Sequence, residues 1–217
     1  MKLAVPINGE CEVPEFNSQA GQDLFVLMAL NGKRNGRFID LGCNHPVEIN
    51  NTYILEKNYD WTGLSFDIDQ TFVNLYPNFR KTKALVRDCT KLTNEDFNLM
   101  KGPIDYMSID LEPARVTLAC LKSLPFGKDF LPSLITFEHE FFRHKDGPEW
   151  RCPGVETPIR DISRSIIESH GYRLVCSDVA NDHCIYEDWY YHPSLVDFER
   201  IKPLVSNGKN WPEIIFV

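Results

Sequence analysis

Acidic side chains cluster at five points of this sequence, each directly after a short apolar run. They are residues 40–44 (Asp-Leu-Gly-Cys-Asn), residues 67–69 (Asp-Ile-Asp), Asp88, residues 110–112 (Asp-Leu-Glu) and residues 138–140 (Glu-His-Glu). Carboxylates in such positions can accept ribose hydroxyls, hold a divalent cation or take a proton from an acceptor, and the imidazole of His139 can serve as a base near neutral pH. The first cluster turns on Gly42 alone, where a pyrophosphate-binding turn would need Gly-x-Gly-x-x-Gly, so a nucleoside without closely held phosphates suits it better than a dinucleotide. Asp67, 25 residues after Gly42 at the end of the next apolar run, can accept both ribose hydroxyls of an adenosine.

For these clusters to work together, the runs that precede them must be strands of one sheet. Residues 37–41, 63–67, 83–86, 104–109, 133–137, 172–176 and 184–186 read as seven strands. Between them, residues 18–30, a segment capped by Asn50 or Asn51 and running to Tyr59, residues 70–76, a short segment opened by Thr93, residues 113–124 and residues 157–169 have helical spacing and helix-start signals. Strand and helix units in this order predict an α/β fold with a mostly parallel sheet covered on both faces. Ligands of such sheets lie beyond the carboxyl ends of the strands, where all five acidic clusters fall.

The chain has 217 residues, which suits one domain over 1–217 with an N-terminal extension (1–17) and a C-terminal tail (194–217) packed on it. Lys and Arg number 23 against 31 Asp and Glu, a net charge of -8, which offers no basic footprint for nucleic acid. No window approaches the ~18 apolar residues of a membrane span, and the first residues lack a signal-peptide core, so no membrane insertion is expected. Seven scattered cysteines without Cys-x-x-Cys point to reduced thiols in a cytoplasmic compartment.

In several stretches the sequence resembles the FkbM-type S-adenosylmethionine-dependent methyltransferases. These are Ser18-Gln-Ala-Gly-Gln-Asp23, Gly36-Arg-Phe-Ile-Asp-Leu-Gly42 with Asn51-Thr52, Trp61-Thr-Gly-Leu-Ser-Phe-Asp67, Tyr106-Met-Ser-Ile-Asp-Leu-Glu112, Ile135-Thr-Phe-Glu-His139 and Glu187-Asp-Trp189 with Pro193. The resemblance implies a Rossmann-like class I methyltransferase fold with seven strands, the last antiparallel, and S-adenosyl-L-methionine as cofactor. It places the methionine part at Asp40 and the Gly42 turn with Asn44, Thr52 and Asp110 near it, the ribose on Asp67, the adenine amino group at Asp88, and Gln22 with Asp23 closing over the cofactor. The family usually has glutamate at Asp67 and Glu-Gly-x-Glu where this chain reads Glu112-Pro-Ala-Arg115. The implied activity is O-methylation of a hydroxyl on a small molecule or glycan, a sugar above all.

Making an alcohol nucleophilic takes a base or a divalent ion. Asp110 and Glu138 could hold Mg²⁺ or Mn²⁺ with His139 as ligand or base, or His139 could act without metal, with His144 as a second candidate; a strand continuing through Glu138 and His139 would turn them to opposite faces. Residues 187–192 (Glu-Asp-Trp-Tyr-Tyr-His) could stack a sugar, and residues 143–151 could form a substrate lid. Two other readings compete: Asp67-Ile-Asp69 as the Asp-x-Asp of a metal-dependent glycosyltransferase, and a methyltransferase-like domain that binds without catalysing. The oligomeric state stays open, a homodimer included.

Overall fold

The computed structural model describes residues 1–100, 102–144 and 158–217. Its centre is an eight-stranded sheet of β1 (Arg37–Leu41), β2 (Thr62–Asp67), β3 (Lys83–Val86), β4 (Tyr106–Ile109), β5 (Leu134–Glu138), β6 (Arg173–Asn181), β7 (Cys184–Tyr191) and β8 (Ser206–Asn207), in the order β3-β2-β1-β4-β5-β7-β6-β8. The strands β1 to β5 are parallel, and β7 runs antiparallel between β5 and β6. The expected sheet of seven strands thus becomes one of eight, because residues 206 and 207 of the tail add a short parallel edge beside β6. Two residues are too few to leave a periodic signal.

The inner strands β1, β4 and β5 read as nearly continuous apolar runs because both of their faces are covered. Phe38, Tyr106, Leu134 and Tyr191 enter one core, while their neighbours Ile39, Met107, Ile135 and Tyr190 enter the other. The first core is closed by α1 (Gln22–Ala29) and by chain from both ends, Leu3, Val5, Ile201 and Ile215 among them. The second is closed by α5 (Ala114–Ser123) and α6 (Ile159–Ser169). The remaining helices are α2 (Tyr53–Tyr59), α3 (Gln70–Phe79), α4 (Asn94–Phe97), α7 (Phe198–Ile201) and α8 (Trp211–Ile215). Residues 1–17 and 194–217 meet each other through the Leu3 and Phe216 bridge.

Helix starts differ from the sequence expectation where side chains have other employment. Asn50 accepts from the Thr52 amide, and Thr52 takes the N-cap position of α2, one residue beyond the expected cap. Ser18 lies outside α1 and hydrogen-bonds Asp23. Thr93 and Asp96 form the capping box of α4.

Gly42 ends β1 at φ +84°, and a Cβ built there would lie 1.8 Å from the carbonyl oxygen of Asp110 at the end of β4. Its glycine is therefore required by the close approach of two strand ends. Gly42→Ala is expected to lower unfolding free energy by about 2 kcal/mol or more in urea titrations. A loss below about 0.5 kcal/mol, the range of an ordinary surface substitution, would show that the strand ends relax freely.

Candidate active site

The carboxyl ends of β1, β2, β4 and β5 surround a cavity of about 660 Å³. It opens between β1 and β4, where the strand order reverses: the chain steps outward from β1 to β2 and β3 and then returns to β4 on the other side of β1, the switch point at which sheets of this kind bind ligands. All five acidic clusters reach it: Asp40, Gly42 and Asn44 from the first, then Asp67, Asp88, Asp110 with Glu112, and Glu138 with Glu140.

The floor is held by a buried polar network. Asp40 accepts from the Thr52 hydroxyl at 2.9 Å, and that hydroxyl also meets Asn50 Oδ1 at 3.0 Å and Arg80 at 3.1 Å. Burial pushes the Asp40 carboxyl up to about 6, against the Thr52 hydrogen bond and the Arg80 charge that favour its ionised form. The Arg80 guanidinium is buried too, donating to Glu56 at 3.0 Å, to the Pro46 carbonyl at 3.0 Å and to Asn50 at 3.1 Å. Beside Thr52, the Asn51 amide nitrogen donates to Ser108 of β4 at 3.0 Å, and its buried oxygen has no partner among the described residues.

Along the β2 side, each oxygen of Asp67 accepts one amide, Oδ2 from Asn44 and Oδ1 from Asp69, both at 2.8 Å. A carboxylate oxygen has a second lone-pair site, so both remain able to accept a hydroxyl. Asp69 instead caps α3 by accepting from Thr71, and it does not line the cavity. The Asp-x-Asp pair is thus employed in a turn and a helix cap. Asp88 opens a 3-10 turn (Cys89–Lys91), and the hydrogen bond from Lys91, then those from Thr90, hold its carboxyl down at about 2.

At the β4 and β5 ends, Asp110 and Glu138 hydrogen-bond one another, and burial raises both above the usual carboxylate range. For Glu138 the charge of Asp110 raises it further. Glu140, at φ +46°, pairs with Arg143 at 3.1 Å and is pushed up to about 7 by burial and by Glu112. Deeper, Glu187 faces Glu138 across the β5 and β7 pair and accepts from Trp189 at 2.6 Å and from the Tyr186 hydroxyl at 3.3 Å; burial takes it to about 8. The Tyr186 side chain lines the cavity.

Three sequence expectations are corrected. Strand alternation carries through residue 139, so His139 turns away from Asp110 and Glu138, and it joins them neither as metal ligand nor as base. Its fully buried ring lies 3.6 Å from Asp188, on the α6 side of the sheet, and accepts from the Phe141 amide. There it joins Asp178 and Asp188 in a group compact enough for an ion, but Arg164 already neutralises both acids at 2.8 Å. Although burial opposes it, the hydrogen bonds from Arg164 and His139 keep the Asp188 carboxyl well below the usual range. Gln22 and Thr52 do not reach the cavity either: Gln22 lies behind Tyr186 at 3.4 Å, Thr52 behind Asp40, and Asp23 is consumed in the turn before α1. Finally, residues 187–191 are buried in β7, where they cannot stack a sugar. His144 stacks on Phe141, and residues 145–151 of the expected lid lie outside the described residues.

Sequence reasoning missed Gln19, Ile68, Phe72 and Tyr186 as lining residues. Ile68 was legible as the apolar residue inside Asp-Ile-Asp and Phe72 as one turn beyond it, whereas nothing local marks Gln19 over Gln22, or Tyr186 as the cavity wall. Among the described residues the lining counts eight carboxylates (Asp40, Glu48, Asp67, Asp88, Asp110, Glu112, Glu138, Glu140) against two arginines, Arg87 and Arg143. Such a cavity favours a cation and opposes a diphosphate.

No family model matches the chain, and no curated protein matches it. Solved structures similar to it include the Dnmt2 methyltransferase of S. pombe (19% identity, TM-score 0.46, covering 71% of this chain and 47% of that one). The N-methyltransferase NodS of Bradyrhizobium japonicum aligns at 8% identity and TM-score 0.48, over 79% of this chain and 93% of that one. Aeropyrum pernix fibrillarin, in complex with S-adenosyl-L-methionine, aligns at 10% identity and TM-score 0.45, over 73% and 67%. The chain spans about half the length of the Dnmt2 structure. These likenesses concern general fold and assign no chemistry.

The raised acids predict a pH dependence of stability. An acid whose pKa rises on folding holds its proton better in the folded chain, so its contribution is whole below the unfolded value and is lost as pH climbs through the folded one. With Asp40 at about 6, Glu140 at about 7 and Glu187 at about 8, unfolding free energy should fall from pH 4.5 to pH 8. Glu187→Gln should flatten the upper part of that fall in urea titrations at stepped pH; an unchanged slope would refute the assignment.

Proposed function

We propose that the protein is an S-adenosylmethionine-dependent methyltransferase acting on a hydroxyl of a small-molecule or glycan acceptor. The observation that carries this reading is the convergence of five acidic clusters on one cavity at the switch point of the sheet, with a strong excess of negative charge. The cofactor carries a sulfonium and an ammonium, and its ribose offers two neighbouring hydroxyls, so a cavity holding Asp40, Asp67 and Asp110 suits its chemistry. When bound, it supplies a methyl group already activated for in-line transfer.

The residues of the chain would divide the work by position. Asp67 would accept the ribose hydroxyls through the free lone pairs of its two oxygens, with Asn44 setting its orientation. Asp40, Gly42 and Asp110 would receive the cationic part, and the return of a positive charge would draw the raised Asp40 toward its ionised form. Asp88 would stand at the adenine end. One carboxylate of the hydrogen-bonded Asp110 and Glu138 pair would take the proton that leaves the acceptor hydroxyl. With His139 turned away, proton removal falls to this pair, and His139 becomes a support of the fold. The sugar identity of the acceptor rests on the sequence resemblance alone, since the aromatic segment that also suggested it is buried.

Calorimetric titration decides between this reading and the glycosyltransferase. S-adenosylmethionine should bind, and a uridine-diphosphate sugar with Mn²⁺ should not; the reverse result would sink the proposal. Asp67→Ala should weaken cofactor binding about tenfold or more, the cost of losing hydrogen bonds to a charged acceptor. In turnover, followed as S-adenosylhomocysteine release with a glycan acceptor, Glu138→Gln should keep cofactor affinity and lose about 100-fold or more in rate. His139→Ala should lower stability while leaving the rate of the folded protein close to wild type.

A further inference from the structure

Asn51 is the residue whose polar capacity is left half used. It is 8% exposed, it lines the cavity, and it sits between the ends of β1 and β4, the two strands whose Asp40 and Ser108 are register partners. Its amide nitrogen is committed to Ser108 Oγ at 3.0 Å, and Ser108 is itself fully buried in the middle of the sheet. That anchor sets the plane of the amide. Its oxygen Oδ1 is buried and meets no donor among the described residues. A buried carbonyl without a donor carries a desolvation penalty that a ligand donor removes.

Neighbouring residues say what kind of donor fits. Asn50 is occupied with the Cys43 and His45 carbonyls and with Arg80, and Thr52 with Asp40, so the orphan oxygen belongs to Asn51 alone in this segment. Asp40 shares the cavity, held above its ordinary range by burial, and Asp110 adds a second carboxyl. An uncharged donor would satisfy Oδ1 and leave those acids uncompensated. An ammonium satisfies the oxygen and compensates the acids together.

We propose that Asn51 is a cofactor-binding residue whose Oδ1 accepts a hydrogen bond from the α-ammonium of the cofactor's methionine part, with Ser108 as the positioning residue that fixes its amide. This rests on the methyltransferase reading and deepens it by assigning the amino-acid end of the ligand to a residue the first-turn motif does not contain.

The test needs no acceptor. Titrations of the full-length chain use three probes: S-adenosylhomocysteine, its analogue without the amino group, and 5'-methylthioadenosine, which keeps adenine and ribose and lacks the amino-acid part. Asn51→Ala should weaken S-adenosylhomocysteine about tenfold or more, the worth of a hydrogen bond to a charged group, and leave the other two within about twofold. Ser108→Ala should weaken the same probe by a smaller factor. Unchanged affinity for S-adenosylhomocysteine overturns the proposal. So does an equal loss on all three probes, which would mark a structural role, and so does an equal loss on the deaminated analogue, which would move the contact to the carboxylate. Wild-type affinity for 5'-methylthioadenosine in the variant confirms that the site is folded. If the wild type binds none of the three, the methyltransferase reading fails first, a result distinct from each of these.

Discussion

The buried guanidinium of Arg80 holds the cavity wall. It leaves the end of α3, crosses beneath the loop between β1 and α2, and donates to Glu56, to the Pro46 carbonyl, to Asn50 and to Thr52. Phe38, Tyr53 and Tyr76 surround it with ring faces at 5.5 to 5.8 Å. Burying a guanidinium is costly unless its donors are matched, and here four of its N–H groups meet oxygens while the rings screen the rest. Thr52 then passes the constraint to Asp40, and Asn50 passes it to the Cys43 and His45 carbonyls. An irregular loop with Asn44 and Ile49 in left-handed backbone is thereby set in place without regular secondary structure of its own.

How much of this was legible in the sequence follows from the range of the forces involved. The parallel core strands and the helices on either face come from local apolar periodicity, so their places could be read directly. The convergence of the acidic clusters followed from topology, since the carboxyl ends of parallel strands must share one edge of the sheet. What could not be read was the aim of individual side chains. Glu138 and His139 are chain neighbours, yet one faces the cavity and the other lies against Asp188, because β5 keeps its pleat to the end of its pairing with β7. Gln22 and Gln19 are likewise close in sequence, and the left-handed Gly21 before α1 decides which of them reaches the cavity.

The same limit explains β7. Residues 187–191 are rich in aromatics and acids, a composition that suits a binding surface or a core. Here β7 is central, flanked by β5 and β6, so both faces are covered and the polar groups must find partners inside. Glu187 finds Trp189 and Tyr186, and Asp188 finds Arg164 and Tyr190. Central position in the sheet, a long-range property, turned a segment with the look of a surface into part of the interior.

The acidic excess of the whole chain is concentrated where it is most costly. Asp40, Asp110, Glu138 and Glu140 are all raised by burial, which means that the folded chain without a ligand keeps protons it would otherwise release. A fold selected for stability alone would place apolar residues or matched cations at such positions, as it does for Asp178 and Asp188 with Arg164. Among the described residues around the cavity, only Arg143 meets one of these acids directly. The two acid groups, one neutralised by arginine on the α6 side and one left open at the strand ends, differ in what completes them. The first is completed by the protein, and the second, on the proposed reading, by a positive charge from outside, as a cationic cofactor would supply.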